Sequence, residues 1–305
     1  MKCKQLLKET GAIADIKKSA EKHELAFVIG NGLNLHIQKT HCVPDNSKVP
    51  SWDRLLRKCS KDYSELKALD SSLINSYPEM FSLAMLNTDE SIHTLTNTEL
   101  QKIAPSSYHK IVTEKLIHYD SPVLTTNYDK LLDEGLNSFI KCDSNASKTN
   151  LYNYSGVREL ESPESGFGIW HINGVCGNAK SIRLGIGNYA NNLVAIHALV
   201  PKAPDYMMSE GFCSSWLKPF FMNKLCFIGL GLREEEFVLR WLLYKRRVCW
   251  KKLPNTSNWR NTGWYLYSKE GATISEATKL FLENVGITPV CFNKWSTIYR
   301  ELFGV

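Results

Sequence analysis

Six short apolar runs, at residues 25–30 (LAFVIG), 122–126 (PVLTT), 167–172 (FGIWHI), 225–231 (LCFIGLG), 263–267 (GWYLY) and 287–292 (ITPVCF), each stop abruptly at glycine or a polar cluster. Runs this short are too brief for core helices, and their continuous apolar character is that of strands buried on both faces. Between several of them the apolar residues recur at helical spacing, as in EEEFVLRWLLYKRR (234–247) and ISEATKLFLENVG (274–286), the latter closed by Gly286 as a C-terminal cap. Strand and helix in alternation predict an α/β fold: a parallel sheet with helices on both faces.

The chain of 305 residues, 43% hydrophobic and 22% charged, is long enough for one large α/β domain, and a single domain over 1–305 is expected. No glycine occurs between Leu33 and Glu134, and the helical spacing there predicts a helical module inserted at 46–120, between the first strand and the second. Residues 141–166, rich in Ser and Asn, read as a long loop. The lysine-rich start lacks the apolar core of a signal peptide, and no run of about 18 apolar residues suits a membrane span. Nine cysteines without a C-x-x-C pair suit reduced core thiols in a cytoplasmic protein, with no zinc site. The net charge of +6 is densest in YKRRVCWKK (244–252). A helix end explains that stretch through its dipole, and direct contact with nucleic acid is not expected.

Candidate chemistry gathers at the strand ends. VLTTNYDKLL (123–132) finishes an apolar run on Asn127 and Asp129; these residues either cap backbone N–H groups or line a ligand crevice. The first strand runs into GNGLN (30–34), where Gly30 and Gly32 permit a close backbone approach to a phosphate or form a ligand-free turn. Pro50 and Ser51 suit a helix start. His171, beside Trp170, is either a satisfied core residue or a site residue. GLG at 229–231 precedes acidic residues that a helix dipole alone explains.

In order along residues 25–292, the G-x-G, P-S-W-D-x-L-L, T-x-N-x-D, H-x-x-G and late G-x-G motifs resemble the sirtuin-like family, specifically its bacterial branch in antiviral defence. The resemblance implies a Rossmann-like NAD pocket. Gly30, Asn31 and Gly32 match its phosphate loop, and Pro50, Ser51 and Trp52 the segment over the nicotinamide. Asn127, with Thr126 before it, matches the amide that positions ribose and water, Asp129 the carboxylate at the carboxamide, and His171 the catalytic histidine. Gly229 and Gly231 match the turn near the adenine ribose. The two C-x-x-C pairs of sirtuin deacylases are missing here, G-A-G-x-S is replaced by G-N-G-L-N, and H-G by H-x-x-G. The resemblance thus implies an NAD hydrolase that takes NAD as substrate and uses no metal, before an NAD-dependent protein deacylase or a silent NAD-sensing assembly module. It further implies a homo-oligomer and a partner like the HerA-type hexameric ATPases.

Overall fold

A computed structural model describes residues 2–59, 92–136, 140–141, 151–152, 154–184, 186–200, 209–232, 236–251, 263–270 and 274–305. All six apolar runs form strands of one sheet: β1 (Leu25–Ile29), β2 (Pro122–Thr125), β5 (Gly168–His171), β6 (Lys224–Ile228), β7 (Gly263–Ser268) and β8 (Ile287–Phe292). Two more, β3 (Ile140–Lys141) and β4 (Tyr154–Gly156), extend it to eight strands in the order β3-β4-β5-β2-β1-β6-β7-β8. The six long strands pair in parallel, whereas β3 and β4 add to the β5 edge antiparallel. The stretch expected to be a loop therefore contains a strand. β4 spans only 3 residues, with no apolar run to announce it, and its pairing is set by the neighbouring β5 edge rather than by local preference.

The helices in chain order are α1 (Lys2–Glu21), α2 (Gly32–Thr40), α3 (Trp52–Cys59), α4 (Ile92–Leu100), α5 (Ser107–Tyr119), α6 (Ile186–Leu199), α7 (Glu210–Cys213), α8 (Leu217–Met222), α9 (Phe237–Lys251), α10 (Glu276–Asn284) and α11 (Trp295–Phe303). They form two layers, and β1 shows why. Its Leu25, Phe27 and Ile29 join one core with Ile16, Val112, Leu116 and Leu302 from α1, α5 and α11. Its Ala26 and Val28 join the other with Ile196, Phe220 and Leu242 from α6, α8 and α9. Successive strand side chains point to opposite faces, so a run buried on both sides must be apolar throughout. The chain folds as an α/β protein with a Rossmann-like sheet.

Of the expected helical module, α3 and α4 are described, and residues 60–91 lie outside the described set. Its last helix, α5, belongs to the sheet's own layer through Val112, Leu116 and Tyr119. The basic stretch at 244–252 is divided by the helix: Arg246 is 0% exposed and donates to the Asn223 carbonyl at 2.8 Å, and the buried Trp250 donates to that of Phe221 at 2.9 Å. The tryptophan and one of the arginines thus face the core. Among the described residues, no helix is long and apolar enough to cross a membrane.

Register fixes where the candidate residues meet. Ile29 pairs with Thr125 on one side and Ile228 on the other, and Thr125 pairs with His171. Four parallel strands therefore end at one level, and GNG, TNYD, HING and GLG all emerge from the same edge. β1 has β2 on one side and β6 on the other, which makes its end the point where the chain's progression across the sheet changes direction. Ligands of open parallel sheets bind outside such points.

Candidate functional site

The two glycine turns lean on each other. Gly30 N–H donates to the Ile228 carbonyl at 3.0 Å, and Gly32 N–H to the Gly229 carbonyl at 2.8 Å. A Cβ on Gly32 would lie 2.6 Å from the Gly229 Cα, and one on Gly30 would lie 2.5 Å from its carbonyl oxygen. Gly229 itself holds φ at 65°, a conformation that costs a residue with a Cβ more than it costs glycine. Glycine is thus required here for the contact between the β1 and β6 turns, whatever ligand approaches. Gly231 is exposed beyond this contact. Asn31 starts α2 without a side-chain cap bond.

The β2 end is organised differently. Thr125 Oγ1 donates to the Ile29 carbonyl at 3.0 Å and accepts the Asn127 N–H at 3.1 Å, which ties the turn back to β1. Thr126, half-buried, donates its N–H to the same carbonyl at 3.2 Å. Asp129 takes the local turn role: its Oδ1 accepts the Leu131 N–H at 3.2 Å, the Asx pattern of a residue that bonds its own chain two positions on. Asn127 does not. Its side chain makes no hydrogen bond among the described residues, although the residue is only 8% exposed. The cap explanation therefore holds for Asp129 and fails for Asn127.

Around the Asn127 turn lies a set of buried polar groups, here called the ring. His171 Nδ1 stands 2.8 Å from the Asn127 carbonyl, and Nε2 stands 2.9 Å from Asp133 Oδ2. A carbonyl only accepts, so Nδ1 carries a proton. Burial pulls the His171 pKa down, but the charge and hydrogen bond of Asp133, the Asn127 carbonyl and the Asp129 charge outweigh it, and the pKa rises above 6.5. Burial likewise opposes ionisation of Asp133, yet the His171 charge and hydrogen bonds from His171 and Ser155 hold its carboxyl below 3.8. Both directions favour an imidazolium–carboxylate pair with both ring nitrogens donating. In that form His171 grips the Asn127 backbone, and it serves as a base only after giving up a ring proton.

Asn34, 2% exposed in the first turns of α2, completes the ring. Its Nδ2 donates to Asn31 Oδ1 and to Asp129 Oδ2, each at 3.1 Å, while its Oδ1 is buried with no partner among the described residues. A buried acceptor left unpaired costs about 1–3 kcal/mol, and it marks a place for a donor from a ligand or water. Burial drives the Asp129 pKa up, with the Leu131 N–H and the His171 charge acting against it. Asp133 and Asn34 escaped the sequence reading. For Asp133 the available signal was its place one helical turn after Asp129, and for Asn34 its place at the end of GNGLN, three residues after Asn31.

Tyr128, between Asn127 and Asp129, bonds away from the ring. Its hydroxyl donates to the Arg183 carbonyl at 2.7 Å, and its own carbonyl accepts the Cys176 N–H at 2.7 Å. Beyond His171, the glycine of H-x-x-G, Gly174, holds φ at 103°, and a Cβ there would meet the Ser181 carbonyl at 2.2 Å. The extra turn residues of that motif thus seat a tight loop against 181–182.

The Pro50–Trp52 segment is not brought to Asn127 by any described contact. Gln38 anchors it to α2, donating to the Val49 carbonyl at 3.1 Å and accepting its N–H at 3.0 Å. Pro50 lines a separate cavity, Ser51 is half-buried, and the Trp52 side chain lies outside the described set. Among the described residues, no group of three or more His, Cys, Asp and Glu is placed to hold a metal ion. No family model matches the sequence, and comparison with curated proteins gives no match.

Proposed function

We propose that this protein is an NAD+ hydrolase that cleaves the nicotinamide N-glycosidic bond, giving nicotinamide and ADP-ribose. The observation that carries the reading is the carboxamide of Asn127, without a hydrogen bond among the described residues, at the end of a central parallel strand whose turn also meets His171 and, through Asp129, Asn34 with its unpaired Oδ1. An amide left without a structural task at this point in the fold is suited to a ligand. Its NH2 donates and its oxygen accepts, so it can hold a ribose hydroxyl and an attacking water together.

The bond to nicotinamide is already weakened by the positive ring, which leaves as a neutral molecule with the bonding electron pair and needs no proton. Positive charge then builds on the ribose. Asp129, buried two residues after Asn127, stabilises that charge through space. Its raised pKa also suits it to take the proton that water releases as its oxygen bonds to the ribose carbon. The His171–Asp133 pair holds Asn127 in register. The α2 N-terminus, facing the same edge, favours the pyrophosphate through its dipole.

Incubation of the purified protein with NAD+, following free nicotinamide with and without an acetylated peptide, tests the reading. Release without peptide supports it. Release only with peptide makes the protein a deacylase, and none under either condition leaves a binding module. The role in antiviral defence, the homo-oligomer and the hexameric ATPase partner belong to the same proposal and rest on the family resemblance.

A further inference from the structure

A cavity of about 430 Å³ lies away from the Asn127 ring, between the end of α2, the chain leading into α3, and α4. We infer that it binds a small phosphorylated molecule carrying about two negative charges. Its volume falls within the range of about 300–1,000 Å³ of ordinary small-molecule sites. The charge follows from its walls. Lys48 is matched by Asp45 at 2.6 Å. Lys58 and Lys102 share one carboxylate, Glu99, whose side chain is 11% exposed. Arg54, exposed on α3, forms no ion pair among the described residues. Among the described residues, one surplus charge at the Glu99 cluster and one at Arg54 leave the cavity with two positive charges unbalanced.

The arrangement favours phosphate over a single carboxylate. Arg offers a planar fork of donors and Lys a rotatable point charge, the pair of groups that commonly hold phosphate oxygens, and here they stand on more than one wall of a concave site. A nucleic-acid strand needs a continuous basic track along its backbone, whereas these cations line one open, concave volume. The site is also connected to the ring. Leu55 of α3 and Leu100 of α4 pack with Cys176, and Ile103 and Tyr128 pack against that cluster. The helices that carry the cavity's cations therefore rest on the turn that carries Asn127 and Asp129. The inference does not depend on NAD cleavage.

Calorimetric titration of the full chain at low ionic strength, with pyrophosphate and with ADP as probes, tests it. Saturable binding is expected, loosening as salt is added. The Lys48→Gln/Arg54→Gln double variant, which leaves the Glu99 cluster intact, is expected to weaken binding by about tenfold or more. Lys102→Gln, at the Glu99 cluster, should weaken it as well, with Lys58 still paired to Glu99. Absence of saturable binding to the wild type, or undiminished affinity in both variants, overturns the inference. So does a DNA duplex that binds more tightly than ADP and is lost in the same variants, since the surface is then a nucleic-acid contact.

Discussion

The glycine turns at 30–32 and 229–231 and the Asn127 ring share one sheet edge, yet the chain uses them differently. In the turns, Gly30 and Gly32 are accounted for by internal contacts: the backbones bond at 2.8 and 3.0 Å and leave no room for a Cβ. In the ring, among the described residues, Asn127 keeps a carboxamide and Asn34 an oxygen without a hydrogen-bond partner, both in residues that are nearly buried. The glycines are the more recognisable motif but the weaker functional signal, because packing alone requires them. Hydrogen-bonding capacity that the fold leaves unused is harder to see in a sequence and says more about a ligand.

The sharpest way to break this contrast is Asn127→Ala. The lost amide should lower nicotinamide release by about two to four orders of magnitude. It should change the melting temperature by less than about 4 °C, since no hydrogen bond of the fold is removed. A folded variant with unchanged turnover would assign the amide to the surface of the turn and nothing more.

Asp133→Asn comes next, and it separates positioning from binding within the ring. Removing one member of a buried ion pair costs about 3–5 kcal/mol, so a marked drop in denaturation midpoint is expected, along with reduced turnover. The pH dependence gives the sign. Because the folded His171 pKa lies above 6.5, its contribution is complete below pH 6.5 and disappears as pH rises through the folded value. Because the folded Asp133 pKa lies below 3.8, its contribution is complete above pH 3.8 and disappears as pH falls through the folded value. The stability difference between wild type and variant should therefore be greatest between those two values and shrink on either side. Urea midpoints across pH 3 to 9 measure it, and a difference independent of pH would mean that the pair is not ionised.

How much of this was legible beforehand depends on the range of the interactions. The six long strands were readable because burial on both faces forces uninterrupted apolar runs, as in β1. β4 was not, since three residues at an edge take their conformation from β5. At the site, Asn127, Asp129 and His171 stood out as polar residues ending apolar strands. Asp133 and Asn34 did not, because their roles arise from contacts 38 and 95 positions apart in the chain. The same limit applied to the 244–252 stretch: its composition announced basic charge, while the orientation of Arg246 and Trp250 was decided by the helix face that meets Asn223 and Phe221.

Gly32→Ala tests the other half of the contrast. The new methyl group would sit 2.6 Å from the Gly229 Cα and 2.8 Å from its carbonyl oxygen. Both belong to backbone, which cannot swing aside as a side chain can. Overpacking of this kind costs about 1–3 kcal/mol, so the variant should melt earlier even without NAD present. Wild-type stability together with weakened NAD binding would reverse the assignment and make Gly32 a ligand residue first.

Gly11→Ala carries the smallest expected effect and has the opposite sign. Gly11 lies within α1, is exposed, and has nothing within 4 Å of the position a Cβ would take. With no contact to explain it, only backbone entropy distinguishes glycine from alanine here. A helix-interior glycine is less favourable than alanine by about 0.5–1 kcal/mol, because more conformational freedom is lost on folding. The substitution should therefore raise the urea midpoint slightly and leave nicotinamide release unchanged, whereas Gly32→Ala lowers the midpoint. If Gly11→Ala instead destabilises the protein, α1 meets a surface at Gly11 that the described residues do not supply, and light scattering then tests whether a second copy of the chain provides it.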